Sequence, residues 1–543
     1  VVAVPSNHEK LVVTIEAQPG EERAETFFLL EVGGRFQTVV RGRKLKREVT
    51  KRVIPREQVL LVAGTQGDAI KVVENLPGSN RASSSGPGAG EIVLRGSNPG
   101  DSLIFLEGHE IPLIYHFGAL RSTFNSAFLE SVDFVPGNFS GEFGRASGGV
   151  VQVRVRDLDE EMFRGNVDLN LYDSGFVLEG PLGDGWTGGF AFHRSYADVI
   201  LGAILPESES FSFKSLPRYY DYQFIVSKKT SERGRFRAMF YGSLDKLAFL
   251  FEGTGDDPIA RGGLESKTMF HNIQLQYTDF INDWIKHETS VQSGLTKLTF
   301  SFGEDLYFNL RVCPLDFRSV VDFDFSESVR VRTGIDIRLL NGGISLNLPR
   351  PPEEGDSPTP PSAREFQNID QKFWPVYPGG FVELSFKPVD SLEVIPSVRF
   401  DYYSDIDELS IDPRLMGRLE ISDETAVTAG FGVYQRPPDP WESDPDFGTT
   451  NILPERSVHA SLGIEKRLAY NIDVDLTGFY KWASNIVVSN PDSFTAESVD
   501  PYVNDGTGRI YGAELLVRFA PISSVSGWVS YSYQKSFRQD TPE

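Results

Sequence analysis

From Phe163 to the end of the chain, apolar and polar residues alternate with period two, and this regularity limits the fold more than any other feature. Asn166 to Leu171 puts Val167, Leu169 and Leu171 on one face. His271 to Tyr277 sets Ile273, Leu275 and Tyr277 against Asn272, Gln274 and Gln276, and Val529, Tyr531 and Tyr533 oppose Ser530 and Ser532. Such runs are strands with two unlike faces. A soluble sandwich supplies them, with one wet face, and so does a membrane barrel, with one lipid face. The connections separate the two. Short ones (Gly183-Asp184-Gly185, Ser231 to Gly234, Asn282-Asp283, Ser326 to Ser328, Pro388 to Asp390, Ser422 to Glu424, Ala469 to Asn471, Pro521 to Ser523) take turns with long ones at 197–217, 245–268, 341–378, 436–455 and 484–508. An outer-membrane barrel keeps short turns on one rim and long loops on the other. A sandwich has no reason to sort its connections by length. The expected fold is mainly β, a transmembrane antiparallel β-barrel over residues 157–543.

Counting runs between these connections gives about 17 strands, an odd number ending on the long-loop side, whereas bacterial barrels close on an even one. The chain stops at a polar tail, Arg538 to Glu543, without an aromatic closing strand. The expectation is an incomplete barrel of about 17 of 22 strands, the larger number being that of barrels with a plugged lumen.

Composition agrees with a barrel and excludes other classes. No run reaches the roughly 18 apolar residues of a membrane helix, but strands spend only alternate residues on lipid. Aromatics make up 12% of the chain, with 40 Phe and 19 Tyr, which favours strands and interfacial girdles. A net charge of −23 argues against a nucleic-acid partner, which needs a basic face. Cys313 is alone, so there is no disulfide framework and no thiolate metal site, and the seven His are scattered without metal-ligand spacing. No nucleophile elbow, phosphate loop or metal motif is present, so neither a catalytic site nor a cofactor is expected. No secretory signal precedes Val1, so the chain reads as a mature or trimmed form.

The first 156 residues differ in pattern. Residues 1–36 hold two alternating runs, Leu11 to Ile15 and Thr26 to Leu30, joined across Gln18-Pro19-Gly20: a hairpin, the remnant of a small β-sandwich. Residues 37–47 are the run Gln37-Thr38-Val39-Val40 followed by a basic linker. Residues 48–156 are Gly-rich and mixed. Helical spacing over 65–76 predicts a helix capped by Thr65 and stopped by Pro77-Gly78. Residues 79–90 read as loop, and strands are predicted at 92–95, 102–106, 131–135 and 150–155. A small α+β domain preceding so wide a barrel fits inside its lumen.

Specific motifs lie in that domain. Asn75-Leu76-Pro77-Gly78, Ile92 to Arg95 with Gly96, Leu106-Glu107-Gly108, Glu130 to Asp133 with Pro136-Gly137, Phe143-Gly144, and Gly148-Gly149 leading into Val150 to Val153 follow one another in order. Together they resemble the plug domain of TonB-dependent receptors. In the barrel, Asp412 to Leu415, Leu453-Pro454-Glu455 and Gly508 through Gly512-Ala513-Glu514-Leu515 are also similar to that family. Where the family has Leu-Asp-Gly, this chain has Leu106-Glu107-Gly108, and Val135-Pro136-Gly137 stands where many members carry Arg-Gly-Pro. The resemblance implies a gated receptor of the bacterial outer membrane, held in lipid as a monomer. It would bind a siderophore, cobalamin, glycan or peptide and take it up with energy from a periplasmic TonB-type protein. Gln37, Thr38, Val39 and Val40 stand where the family keeps its TonB box, a segment recognised by strand addition. Arg95 and Arg145 are the plug cations left to pair with a wall carboxylate, and Glu514, which faces the lumen opposite Leu515 and Val517, is the candidate. The rival reading is a passive or structural channel with a fixed plug, serving secretion or surface attachment.

Overall fold

Seen from the barrel axis, polarity is inverted relative to a soluble protein: polar side chains are buried and apolar ones exposed. Gln274 and Gln276 on the inner face are 0% and 7% exposed, against 51% and 39% for Ile273 and Leu275. That inversion is the signature of a lipid-facing wall around a filled lumen. It rules out the sandwich, whose apolar faces point at each other. The computed structural model describes the chain from residue 51, apart from 63, 66, 69, 82–91, 117–120, 172, 197, 201–210, 252–261, 304, 350–365, 446–447, 469–471, 491–499, 523–524 and 542–543. The hairpin expected in residues 1–36, the linker and Gln37 to Val40 lie outside the described residues.

The plug comprises β1 (Arg52–Pro55), α1 (Arg56–Leu61), α2 (Lys71–Glu74), β2 (Ser79–Arg81), β3 (Ile92–Leu94), β4 (Leu103–Leu106), β5 (His109–Glu110), β6 (Leu129–Val135) and β7 (Val150–Val155). Its sheet runs β1-β6-β7-β4-β5, with only β4 and β7 parallel, and β2–β3 is a separate ribbon. Val72, Val73, Leu94, Leu106, Phe128, Val132, Phe134, Val151 and Val153 are wholly buried in its core, each such side chain contributing roughly 1.5–3 kcal/mol. The helix predicted at 65–76 is a single turn. Thr65 does not cap it, since its hydroxyl donates to the Val62 carbonyl; Asp68 accepts from the Ile70 and Lys71 amides instead. Helical spacing was present, but a short segment gains too little from one turn to stay helical. Residues 79–81, read as loop, form β2.

The barrel begins with β8 (Arg164–Leu169), β9 (Asp173–Gly183), β10 (Trp186–Ser195), β11 (Phe211–Lys229), β12 (Arg235–Phe251) and β13 (Gly262–Asn282). It continues with β14 (Ile285–Phe302), β15 (Leu306–Asp324), β16 (Val329–Pro349), β17 (Phe366–Phe373), β18 (Val376–Val389) and β19 (Leu392–Tyr403). The remaining strands are β20 (Glu408–Ser422), β21 (Thr425–Arg436), β22 (Glu455–Leu468), β23 (Ile472–Ser489), β24 (Tyr502–Ile522) and β25 (Val525–Gln539). β17 and β18 both pair with β16 in one continuous register, Gly342 opposite Phe373 and Leu339 opposite Val376. They are one strand broken at Trp374-Pro375, because proline cannot donate to a ladder. The eighteen segments are thus seventeen strands. The sheet curls round so that β8 and β25 face each other across a seam; among the described residues no backbone register joins them.

Strands of 17 to 21 residues, as in β11 to β16, far exceed the 9–11 or so that cross a bilayer. Their upper ends occupy much of what reads as long loop in the sequence. Of the predicted loop at 245–268, residues 245–251 and 262–268 are strand, and of that at 341–378, residues 341–349, 366–373 and 376–378 are strand. At the short-turn rim Trp284, Phe323 and Phe325 cluster, Trp284 and Phe325 having ring centroids 5.7 Å apart. Such a patch suits an interfacial girdle.

Candidate functional site

The site is the contact between plug and wall, where buried charges meet from opposite sides. Glu514 on β24 is the centre of one anchor. It accepts from Arg95 Nε at 2.7 Å and Nη2 at 3.1 Å, and from Arg52 Nη2 at 3.0 Å. Arg95 also lies over the Phe479 ring, 4.4 Å from its centroid, so the cation is held by both a carboxylate and a π face. The local sequence explains the approach. Gly78 has φ +85°, and a Cβ there would run into the Glu514 carboxylate. Its amide donates to Ser532 Oγ at 2.6 Å, the Pro77 carbonyl accepts from Arg52 and the Asn75 carbonyl accepts from Ser530. Leu76 turns into the plug core. Beside this anchor the buried Lys481 donates to Ser97 Oγ at 2.9 Å and to the Gly148 carbonyl at 2.8 Å, while Gly149 lets the chain pack on Leu94. Gly96, Ser97 and Lys481 line a cavity of about 390 Å³ between plug and wall, with Asp101 and Glu455 at its edge.

A second anchor spans β16 to β21. Arg145 reaches Asp336, Asp401 and the Tyr377 carbonyl; Arg399, on the wall, bridges the same two aspartates at 2.6 Å (Asp401) and 3.0 Å (Asp336). The Arg399 guanidinium fills the space a Cβ on Gly144 would need. Arg414 donates to the plug carbonyls of Ser140 and Phe143 and lies over Tyr434 and Phe139. Plug Glu142 pairs with Arg332 at 3.0 Å and with Arg318. Burial alone would raise the Glu142 carboxyl, but these guanidiniums carry it down to about 2.

The third anchor lies toward the long-loop rim of β10 to β12. His116 of the plug sets Nδ1 2.7 Å from Asp245 and Nε2 3.1 Å from Asp221, and stacks on Tyr219 at 3.9 Å. Two carboxylates on two ring nitrogens require both to donate, so this imidazole is charged. Burial disfavours that charge, yet Asp245 and Asp221 raise the group to about 9. Arg121 completes the cluster on Asp173 at 2.9 Å, and His193 shares Asp221 at 3.1 Å. Glu107 and Gly108 form the two-residue turn of the β4–β5 hairpin, both with positive φ, as such a turn requires. The Glu107 carboxylate accepts from the Val155 amide at 2.5 Å and from Arg237 at 3.2 Å. A longer acid than the family's Asp is therefore in use here, tying the hairpin to both plug and wall.

Among the expected plug cations, the structure brings Arg95 to Glu514 and Arg145 to a different pair of carboxylates. Arg52, His116, Glu142, Arg399, Arg414 and Lys481 were not singled out from the sequence. The signal available was a charged residue at an inward position of a strand, such as Arg399 and Asp401 two apart. Its plug partner is 257 residues or more distant for Arg399 and could not be read. Among the described residues no cluster of His, Cys, Asp and Glu is arranged to hold a metal ion.

A transmembrane barrel whose lumen is filled by an α+β domain and held there by buried ion pairs defines a plugged outer-membrane receptor. The family described as TonB-dependent Receptor Plug Domain matches residues 45–151, and TonB dependent receptor-like, beta-barrel matches 166–543. The chain belongs to the TonB-dependent receptors, proteins of the Gram-negative outer membrane that are receptors and transporters rather than enzymes. The short-turn rim is accordingly periplasmic and the long-loop rim extracellular. Solved structures share the fold. The siderophore receptor PirA from Pseudomonas aeruginosa superposes with a TM-score of 0.66 at 16% identity, over 90% of this chain and 86% of that one. A mutant of the ferric enterobactin receptor PfeA from the same organism gives 0.68 at 14%, over 90% and 80%. The outer membrane transporter YddB from Escherichia coli gives 0.67 at 11%, over 90% and 77%. At these identities the likeness is one of fold. No curated protein matches the sequence.

Proposed function

We propose that this chain is an energy-coupled importer. A scarce ligand binds at the extracellular face of the plug and its loops, a TonB-type protein pulls on the segment Gln37 to Val40, and the plug shifts to let the ligand through. The observation that carries this reading is the plug's anchorage. Three separate clusters of buried charge tie it to the wall, and a plug whose buried charges find their partners on the wall does not leave those partners unless something moves it. The ligand is a siderophore, cobalamin, glycan or peptide, and the PirA and PfeA neighbours, named as siderophore and ferric enterobactin receptors, put ferric siderophores first. The receptor acts as a monomer.

The test is uptake in a strain lacking this gene and restored with it, given radiolabelled ferric siderophores, cobalamin, oligosaccharides and peptides in turn. Uptake of one class that vanishes when the TonB-type protein is deleted, with surface binding retained, is the expected result. Uptake that survives that deletion would overturn the proposal in favour of a passive channel.

A further inference from the structure

The anchors do not surround the plug evenly. Between the His116 cluster on β11–β12 and the Arg338–Glu110 pair on β16 lies a stretch of wall, β13 and β14, that holds the β4–β5 hairpin differently. Its hydrogen bonds to the plug come from uncharged side chains. Gln274 donates to the Glu107 carbonyl at 3.3 Å, Gln292 to the Glu110 carbonyl at 3.2 Å, and Ser290 Oγ meets His109 Nε2 at 2.8 Å. Burial, with Arg318 and Arg338 nearby, lowers His109 to about 3, so this ring is neutral as well. Uncharged hydrogen bonds are roughly half as strong as charge-assisted ones.

A second observation falls on the same strands. The side-chain oxygens of Asn272 and Gln274, both buried, have no hydrogen-bond partner. Buried amide oxygens are normally satisfied by protein or water. Two of them on one inward row, one position apart in the pleat, form an acceptor track. Tyr241 and Gln292 extend it, the tyrosine hydroxyl donating to Gln292 Oε1 at 2.7 Å. At the periplasmic end the row continues to Gln276, which lines a cavity of about 490 Å³.

We infer that the plug yields first along β13 and β14, opening an amide-lined passage between the β4–β5 hairpin and this part of the wall that suits a solute rich in hydrogen-bond donors. The ion pairs on either side, Arg237 of β12 with Glu107 and Arg318 of β15 with Glu142, are its edges, with Arg338 and Glu110 beyond the second. The weak contacts set where the interface opens, and the unsatisfied acceptors, independently, set what passes. The inference rests on the import reading for its use, but the opening itself is a property of the isolated chain.

Ser290 and Ser397 make a matched pair for the test. Both are buried inward serines against the plug, Ser290 bonded to His109 and Ser397 packed on Gly141 beside Arg399, whose guanidinium donates to the Gly141 carbonyl. In a Cys313→Ser background, Ser290→Cys and Ser397→Cys are reconstituted in lipid vesicles and labelled with a polyethylene-glycol maleimide at urea concentrations below barrel unfolding. The expected result is labelling about tenfold faster at 290, the factor made by one charge-assisted contact more or less. Equal rates, or faster labelling at 397, would overturn the inference. If either variant fails to insert, hydrogen exchange on the unaltered chain decides: urea must speed exchange at the β4–β5 edge of the plug sheet, residues 103–111, by a larger factor than at the β1 edge, residues 52–55, which Arg52 ties to Glu514. Repeating the labelling in energised cells separates the two proposals. Uptake with reaction at 397 and none at 290 sinks the passage and leaves import standing. Absence of uptake for every ligand class, with the vesicle result intact, sinks import alone.

Discussion

Glu514→Ala removes the one carboxylate that two plug cations share. In the intact protein Glu514 accepts three hydrogen bonds, at 2.7 and 3.1 Å from Arg95 and 3.0 Å from Arg52, with all three side chains almost wholly shielded. Taking one partner from a buried pair costs about 3–5 kcal/mol, because a charge is left in low dielectric uncompensated. Three charge-assisted bonds at about 1.5–3 kcal/mol each would give more. The lower range is the better figure, since Asp475 stands 3.7 Å from Arg52 and takes up part of its charge. At about 1.4 kcal/mol per tenfold, the protected amides of 76–79 and 92–97 should exchange roughly a hundred to a few thousand times faster. Hydrogen exchange with mass spectrometry on the receptor in lipid reads this directly. The companion variant Arg52→Met/Arg95→Met/Glu514→Leu should recover most of the loss, because desolvation and pairing disappear together. Unchanged exchange in Glu514→Ala, with the barrel inserted, would refute the anchor. A triple variant as loose as the single one would show that shape, not charge, holds this contact.

Three further outcomes follow from named residues. Leu275→Arg should destabilise the inserted barrel by roughly 2–4 kcal/mol near the bilayer midplane, and Gln276→Arg, which opens on the periplasmic cavity, by much less; a lipid-refolding titration giving equal costs would mean the strand faces the other way. His116 is raised in the folded state to about 9 from an ordinary value of about 6.5, so its contribution, roughly 3 kcal/mol, is complete below about pH 6.5 and lost as pH rises through 9. Calorimetry should show the plug transition falling between about pH 6 and pH 10 in the parent and much less in His116→Gln, and parallel curves would exclude the latch. Val39→Pro should abolish ligand uptake and leave surface binding intact, with Val39→Ala mild, since strand addition uses main-chain donors that proline lacks; uptake in both, and after deletion of 37–40, would place the box elsewhere.

What the sequence yields and what it withholds divide along physical lines. Period two is a local property of the backbone, so strand existence, inward and outward faces and the periplasmic turns are all legible; the parity that put Glu514 inward needed only its neighbours Leu515 and Val517. Strand ends are not legible, because the pattern inverts above the bilayer. In register with the buried Gln292 and Asp316, Leu298 and Leu310 point inward while their neighbours Lys297 and Arg311 point out. A strand that has left lipid no longer needs an apolar outer face, and its upper half then resembles a loop. Likewise the break at Trp374-Pro375 hides that β17 and β18 are a single strand.

The partners of the plug charges are illegible for a different reason. His116 finds Asp221 and Asp245 across 105 and 129 residues, and nothing in either segment marks the other. Yet the wall carries a clue that the barrel fold makes usable. A membrane barrel with an empty lumen lets its inward residues be any polar type, because water solvates them all. Here inward positions hold charges of both signs in deep burial, Arg399 beside Asp401 and Arg414 beside Asp412. Burying ions costs several kcal/mol apiece unless each is paired and its remaining hydrogen bonds are made; the wall pairs meet only part of that need, and the plug meets the rest, with the Ser140 and Phe143 carbonyls on Arg414 and with Arg145 on Asp336 and Asp401. The charge on the inner face of the strands is thus itself an argument for the plug, independent of the plug's own motifs. It also marks the stretch of β13 and β14 where Gln274, Ser290 and Gln292 meet the plug: the ions of this part of the wall, Lys286 and Glu288, lie below it at the periplasmic cavity, and where no ion meets the filler, the filler is held least.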